Sequence, residues 1–157
     1  MQGFPIASLL RSGAKSAQEP FAVTQNKRVY AVNALAAEQG LREGMTVREA
    51  KKLVPQSNAL IEWRDELFLD DAQRWLDVAC ELANALESPR LDLAYIDLTT
   101  LPDPIDLALK TADRLRRLDL GRPEIALAPS KWIAEIALQP FEPDLPAERW
   151  MVDSPAD

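Results

Sequence analysis

The chain contains no histidine and only one cysteine, Cys80, among its 157 residues. Without histidine, a Ser/His or Cys/His nucleophile pair and the usual zinc sites are excluded. One cysteine cannot form an internal disulfide, and its place in an apolar helical pattern predicts that Cys80 is a small core residue. Any chemistry that this chain performs must therefore rest on carboxylates.

Long apolar runs are also missing. No segment approaches the ~18 uninterrupted apolar residues that a membrane span requires. The first fifteen residues, MQGFPIASLLRSGAK, have too short an apolar run for a signal peptide. The overall composition, 47% hydrophobic and 27% charged, is that of an ordinary globular chain. We therefore expect a cytoplasmic protein with no membrane partner.

Positive charge is scarce in the second half. Residues 1–69 carry nine Lys/Arg and seven Asp/Glu, which gives +2, whereas residues 70–157 carry nine and eighteen, which gives −9. The densest basic group, Arg114, Arg116 and Arg117, has Asp113 and Asp119 beside it and is predicted to be a solvated helix face. Because duplex DNA is held by cations placed against its phosphates, we expect weak or no DNA binding by this chain alone.

Local signals in the first half predict a hairpin and two short helices. PFAVT at 20–24 and RVYAVN at 28–33 are short runs rich in valine and aromatic residues, separated by three polar residues. A helix-favouring run, 34–39, stops at Gly40. Thr46 and Glu49 form a capping box that opens the next helix, which Pro55 ends. We expect a small helical lobe attached to the hairpin.

The second half predicts an α/β arrangement. Apolar spacing predicts a long helix from Trp63 to Leu86 with Trp75 on its buried stripe, alternatively divided at Asp70. Pro89 is expected to end it, and a strand to follow at 91–98. A helix starting after Asp103, a strand at 124–128, a helix at 130–138 and a strand at 149–153 complete a β-α-β-α-β order, a sheet flanked by helices.

Three segments together resemble the fingers and palm of the Y-family lesion-bypass DNA polymerases: NALAAEQGLREGMTVREAKKLVP at 33–55, RLDLAYIDLT at 90–99 and ALAPSKWIAEIAL at 126–138. The resemblance covers residues 4–139. It implies an α/β (α+β) fold with a palm-type sheet and a small fingers subdomain, and no thumb or little finger. Residues 1–69 would be fingers-like and residues 70–157 palm-like.

The resemblance also shows which family residues are replaced. Asp92 matches a catalytic Asp of the family, but the adjacent metal-binding Glu is Leu93, and a third metal-binding Asp aligns with Met1. The family's aromatic steric gate falls at Ile6. Two triphosphate contacts, a Tyr and an Arg, fall in the alanine-rich run Ala34–Ala37, and a third, a Lys, falls at Glu135. Lys131 matches the Lys that follows the Asn in the family's N-K-x-x-A-K segment, and is a candidate nucleotide contact.

Phosphoryl transfer in such enzymes depends on two cations about 4 Å apart, held by carboxylates. A lone Asp92 would not hold that pair, and Asp97 is an odd number of positions away along the predicted strand. The sequence therefore predicts no enzyme activity and no cofactor, with Mg²⁺ only if a site at Asp92 functions. Asp92 is either a remnant of the metal site or a structural carboxylate without a sequence-local cation.

The closest functional resemblance is to ImuB-type mutagenesis accessory proteins, which look like Y-family polymerases without catalytic carboxylates. It implies a noncatalytic scaffold that binds DNA-repair or translesion-synthesis proteins. Trp132 and Trp150 are candidate anchors for such a partner. The alternative is a DNA-binding or residual nucleotide-binding fragment of a divergent Y-family DNA polymerase.

Overall fold

The computed structural model describes residues 1–81 and 85–138. Residues 1–125 form one compact unit; the described part of a second unit, 126–138, contains the last helix. The helices are α1 Phe4–Arg11, α2 Ala34–Glu38, α3 Val47–Leu53, α4 Leu69–Cys80, α5 Pro104–Arg116 and α6 Lys131–Leu138, with a 3-10 turn at Asp65–Leu67. The strands are β1 Ala22–Gln25, β2 Arg28–Val32, β3 Leu60–Glu62, β4 Leu86–Arg90 and β5 Leu93–Ile96. The α/β fold class is confirmed.

The predicted hairpin is present. β1 and β2 pair antiparallel with Gln25 opposite Arg28, which leaves Asn26 and Lys27 as a two-residue loop. Both loop residues have positive φ, 50° and 63°. This matches the left-handed conformation that a tight hairpin turn requires and that asparagine accepts readily.

A third strand completes this sheet, in the order β2-β1-β3, with β3 parallel to β1. Residues 63–86 were predicted as helix and β3 was not predicted at all; the helix in this region is the shorter α4. Because successive side chains of a strand point to opposite faces, Val23 joins one buried cluster and Ala22 another. The Val23 cluster includes residues of α1, α4 and α5, and the Ala22 cluster includes residues of α2 and α3.

The helix ends follow the sequence signals. Asn33 Oδ1 accepts a hydrogen bond from the Ala36 amide at 2.9 Å and caps α2. The capping box of Thr46 and Glu49 is formed in both directions. Asp103 accepts from the Asp106 amide at 2.9 Å and caps α5. The capping box and the Asp103 cap are confirmed predictions, because each depends on residues only a few positions apart, whereas the Asn33 cap was not predicted.

Other predictions for the second half are wrong. β4 contains Pro89, which was expected to end a helix. The segment 124–128 is not a strand in the described structure, and Arg122 instead pairs with Gln2 as an isolated bridge. Cys80 is exposed at the end of α4 rather than in the core. The predicted strand at 149–153 lies outside the described residues.

A buried carboxylate joins the first and fourth helices. The Asp71 side chain is only 3% exposed. Ser8 donates to its Oδ2 at 2.7 Å, Arg11 forms an ion pair with Oδ1, and Arg74 lies farther away at 3.9 Å. The link holds α1 against the first turn of α4.

No helix in the described part of the chain is long and apolar enough to cross a membrane.

Candidate functional site

Asp92 lies in the turn between β4 and β5, not within a strand as predicted. The pairing of the two strands shifts between Glu87 and Arg90, which marks a bulge at Pro89. Proline lacks an amide hydrogen for the ladder and is tolerated at such irregular positions. Ser88 supports the turn by donating to the carbonyl oxygens of Arg90 and Leu93 at 2.9 and 3.0 Å.

Both carboxylate oxygens of Asp92 are already engaged. The Tyr30 hydroxyl donates to Oδ2, and Arg90 Nε donates to Oδ1 at 3.1 Å. The Asp92 side chain is 11% exposed. The expectation that it has no sequence-local cation is wrong, because Arg90 is two residues away. The amino group of Met1 also donates to the Asp92 carbonyl oxygen at 2.7 Å.

Tyr30 reaches Asp92 from the other sheet. It is the central residue of β2, between the buried Val29 and Ala31, and its half-buried ring packs edge-on against Trp63 with centroids 5.2 Å apart. Trp63 in turn packs on the buried Phe68 at 4.5 Å. The alternation of RVYAV puts Tyr30 on the face opposite Val29, but its partner is 62 residues away, so the sequence pattern did not single it out.

The contact changes how Tyr30 ionises. Burial, the hydrogen bond to Asp92 and the negative charge of Asp92 all raise the pKa of Tyr30 well above its usual value near 10. Because the folded-state pKa is the higher one, the stability that this contact contributes is present below about pH 10 and is lost as pH rises above it.

We expect Tyr30→Phe to lower the free energy of unfolding by about 1–2 kcal/mol at neutral pH, because Asp92 loses a hydrogen bond to a partly buried carboxylate. Urea unfolding at neutral pH measures this change. The chain has two tyrosines, so a Tyr95→Phe background isolates Tyr30 in a spectroscopic titration of tyrosinate. Ionisation near the ordinary pKa would contradict the contact.

Asp92 does not fit a two-metal centre. Its neighbour is Leu93, and Asp97, which follows β5, is exposed and accepts from the Thr99 amide at 2.9 Å. The Thr99 hydroxyl also donates to Asp97. Both hydrogen bonds lower the pKa of Asp97, and the one from the hydroxyl has the larger effect. Within residues 1–81 and 85–138, no three Asp, Glu or Cys side chains are grouped to hold a metal ion. No metal-dependent step follows from this arrangement.

The alanine-rich α2 borders a shallow, open cleft of about 620 Å³, lined by Val32, Ala37, Glu38, Leu41, Arg42 and Glu43. Arg42 Nη1 donates to the carbonyl oxygens of Ala37 and Leu41 at 2.6 and 2.7 Å. Partial burial raises the pKa of Glu43. Arg42 therefore places a guanidinium against the Ala37 carbonyl oxygen of α2.

The other residues singled out from the sequence lie on α6, on α4 or outside the described residues. Lys131 begins α6 and is exposed, and Trp132 is 71% exposed on the same helix. Trp150 lies outside the described residues. Trp75, predicted to lie in the core, is 4% exposed, and its indole N–H donates to the Leu91 carbonyl oxygen at 2.8 Å. This bond ties α4 to the turn that carries Asp92.

Comparison with known proteins gives consistent matches. The model of the impB/mucB/samB family matches residues 1–139. DNA polymerase IV of Moorella thermoacetica is 29% identical over 109 residues, which cover 67% of this chain and 27% of that protein. DNA polymerase IV of Dehalococcoides mccartyi is 29% identical over 120 residues, covering 74% of this chain and 30% of that protein. The chain thus spans about a third or less of these relatives.

Solved structures agree on the fold. A Dbh ternary complex superposes with a TM-score of 0.52 at 21% identity, covering 73% of this chain and 35% of that one. DinB from Sulfolobus solfataricus gives a TM-score of 0.50 at 18% identity, covering 73% and 34%. The expectation that the chain is not an enzyme is overturned by the curated relatives, which are named as polymerases. Replaced residues alone did not justify that expectation.

Proposed function

The chain belongs to the impB/mucB/samB family as a Y-family polymerase-like domain, and we propose that it forms the fingers and adjoining palm of a divergent Y-family DNA polymerase and binds DNA. The observation that carries the proposal is the family match over residues 1–139, together with the DNA polymerase IV relatives. This alternative is better supported than the accessory scaffold, because the relatives are named as polymerases.

Within this proposal, residues 1–69 are the fingers-like part and residues 70–157 the palm-like part. The buried cluster of Ala36, Leu41 and Val54 lies wholly within the first part. The hydrogen bond from Tyr30 to Asp92 links that part to the β4–β5 turn. We assign Asp92 the role of a positioning residue, because Tyr30 and Arg90 engage both of its oxygens.

Lys131 and Trp132 enter the proposal as surface contacts on α6. Lys131 is a candidate contact for a nucleotide phosphate, and Trp132 offers a large exposed ring to a partner protein of DNA repair or translesion synthesis. Trp150 is a second candidate anchor by its sequence alone. A cytoplasmic location fits these roles.

The proposal predicts salt-sensitive DNA binding. We expect fluorescence anisotropy to detect binding of a short primer–template at about 50 mM salt, with a dissociation constant around 10⁻⁶–10⁻⁴ M that weakens as salt increases. The affinity is modest because the net charge of −7 opposes a polyanion. A blunt duplex and a single strand of the same length are the comparison ligands. If the chain bound none of these three ligands at low salt, the proposal would be contradicted.

A further inference from the structure

The cations of this acidic chain are unevenly neutralised. In residues 70–125, five of them lie in ion pairs with carboxylates: Arg74, Arg90, Lys110, Arg114 and Arg116. By contrast, Lys27, Arg48, Lys51 and Lys52 are in no ion pair anywhere in the described residues. Lys15, Arg64, Arg117 and Arg122 also lie in no ion pair of the described residues, but six of the ten such side chains fall within residues 27–52: Lys27, Arg28, Arg42, Arg48, Lys51 and Lys52.

Three of these cations share one face of α3. Positions 48, 51 and 52 are three and four residues apart, so their side chains are neighbours on a helix surface. All three are exposed, whereas Ala50 and Val54 are fully buried and hold the opposite face against the core. The face is thus fixed by packing rather than by the cations themselves.

The hairpin loop adds to the same surface. The Val47 amide, at the start of α3, donates to the Lys27 carbonyl oxygen at 3.1 Å, and Arg28 forms a bridge with Thr46. Arg28 Nη1 donates to the Gly44 carbonyl oxygen at 2.7 Å. These bonds hold the exposed Lys27 beside the first turn of α3.

One carboxylate, Glu49, lies among these cations. Its hydrogen bonds from the Thr46 hydroxyl and amide lower the pKa of Glu49, and the nearby charges of Arg28 and Lys52 lower it further. Glu49 is therefore ionised and held in the capping box. It compensates part of the local positive charge and leaves a cationic surface.

We propose that Lys27, Arg48, Lys51 and Lys52, which we call the α3 basic face, bind the phosphate backbone of DNA. This inference rests on the proposed function, since a polyanion is the ligand that a DNA-binding domain presents to unpaired cations. Contacts of this kind position the nucleic acid without reading its sequence.

Two variants of equal net charge test the surface. Arg48→Gln/Lys51→Gln/Lys52→Gln removes three cations from the α3 basic face, and Lys110→Gln/Arg116→Gln/Arg117→Gln removes three from α5 and its C-cap. Each changes the net charge from −7 to −10. We expect the first to bind a primer–template more weakly, and its slope of log affinity against log salt to be shallower by about 2–3. The α5 variant should retain the slope of the unmodified chain.

The outcomes separate this inference from the proposed function. DNA binding by the unmodified chain with equal slopes for both variants overturns the α3 basic face but not DNA binding, and makes an acidic protein surface the better ligand for these cations. No binding by the unmodified chain overturns both. Circular dichroism of both variants checks that they are folded, so that a shallower slope of log affinity against log salt is not caused by unfolding.

Discussion

Replacing Asp71 with alanine is expected to lower the free energy of unfolding by about 2–3 kcal/mol, because it leaves the buried Ser8 hydroxyl without its acceptor and removes the ion pair with Arg11. Ser8, itself 1% exposed, would lose the acceptor of its hydroxyl. Arg11 would lose the carboxylate that neutralises it. Most of the effect comes from Ser8, because its hydroxyl is buried, whereas Arg11 is 38% exposed and is solvated by water.

The contact matters for the whole of residues 1–125. It joins α1 to α4, and both helices contribute to the cluster that contains Phe4, Phe68 and Trp75. Asp71 also lies in the first turn of α4, where a negative charge is favoured by the helix dipole. Its removal thus weakens a helix start and a helix pair together.

Asp70 provides the matched control. It precedes Asp71 in the same first turn of α4 but is exposed. Asp70→Ala loses only the dipole interaction, about 0.3–1 kcal/mol. Asp71→Asn, which keeps the shape and an acceptor for Ser8, should fall between the two alanine variants. Urea unfolding measures all three, and equal losses for Asp70→Ala and Asp71→Ala would contradict the role of the buried pair.

Short-range patterns predicted part of the first half of the fold, although not α1 or β3. The hairpin, the stop at Gly40 and the capping box of Thr46 and Glu49 all depend on residues within a few positions of each other. Gly40 has φ of 93°, a conformation that glycine adopts without steric cost. Such signals are read directly from sequence because their partners are local.

Predictions failed where partners are distant. Strand β3 at 60–62 was missed because it pairs with β1, whose sequence lies almost forty residues earlier. Pro89 suggested a helix end because its tolerance in a strand depends on the bulge opposite β5. Apolar spacing alone does not distinguish these cases.

For the candidate site, too, local features were predicted and distant partners were not. Resemblance identified Asp92, and the motif spacing placed it beside Leu93. No sequence pattern indicated that Tyr30 on β2 would reach it, and the expectation of a continuous strand from 91 onward concealed Arg90, at the end of β4, as a partner. The alignment of Asp92 with the family motif is thus readable from sequence, whereas its hydrogen-bond partners depend on the tertiary fold.

The backbone of the N-terminal segment packs closely against Gly121. Gln2 and Arg122 exchange backbone hydrogen bonds of 2.9 and 2.8 Å. Gly121 has φ of 98°, and an added Cβ would lie 2.5 Å from the Gln2 carbonyl oxygen and 2.9 Å from the Phe4 nitrogen. Both are backbone atoms, so no side-chain rotation relieves the overlap.

We expect Gly121→Ala to lower the free energy of unfolding by about 3 kcal/mol or more, because left-handed strain of about 1–2 kcal/mol adds to the cost of the overlap. Gly44→Ala is the matched control, since Gly44 has φ of 84° but open space at its Cβ position; it should lose only the strain. Hydrogen exchange at Gln2 and Arg122 adds a local readout, because moving the segment breaks their bridge. If the two alanine variants lost equal stability and the Gln2 and Arg122 amides stayed protected from exchange, the close backbone contact at Gly121 would not be what holds residues 1–4 in place. The amino group of Met1, which lies against the Asp92 turn, would then owe its position to other contacts.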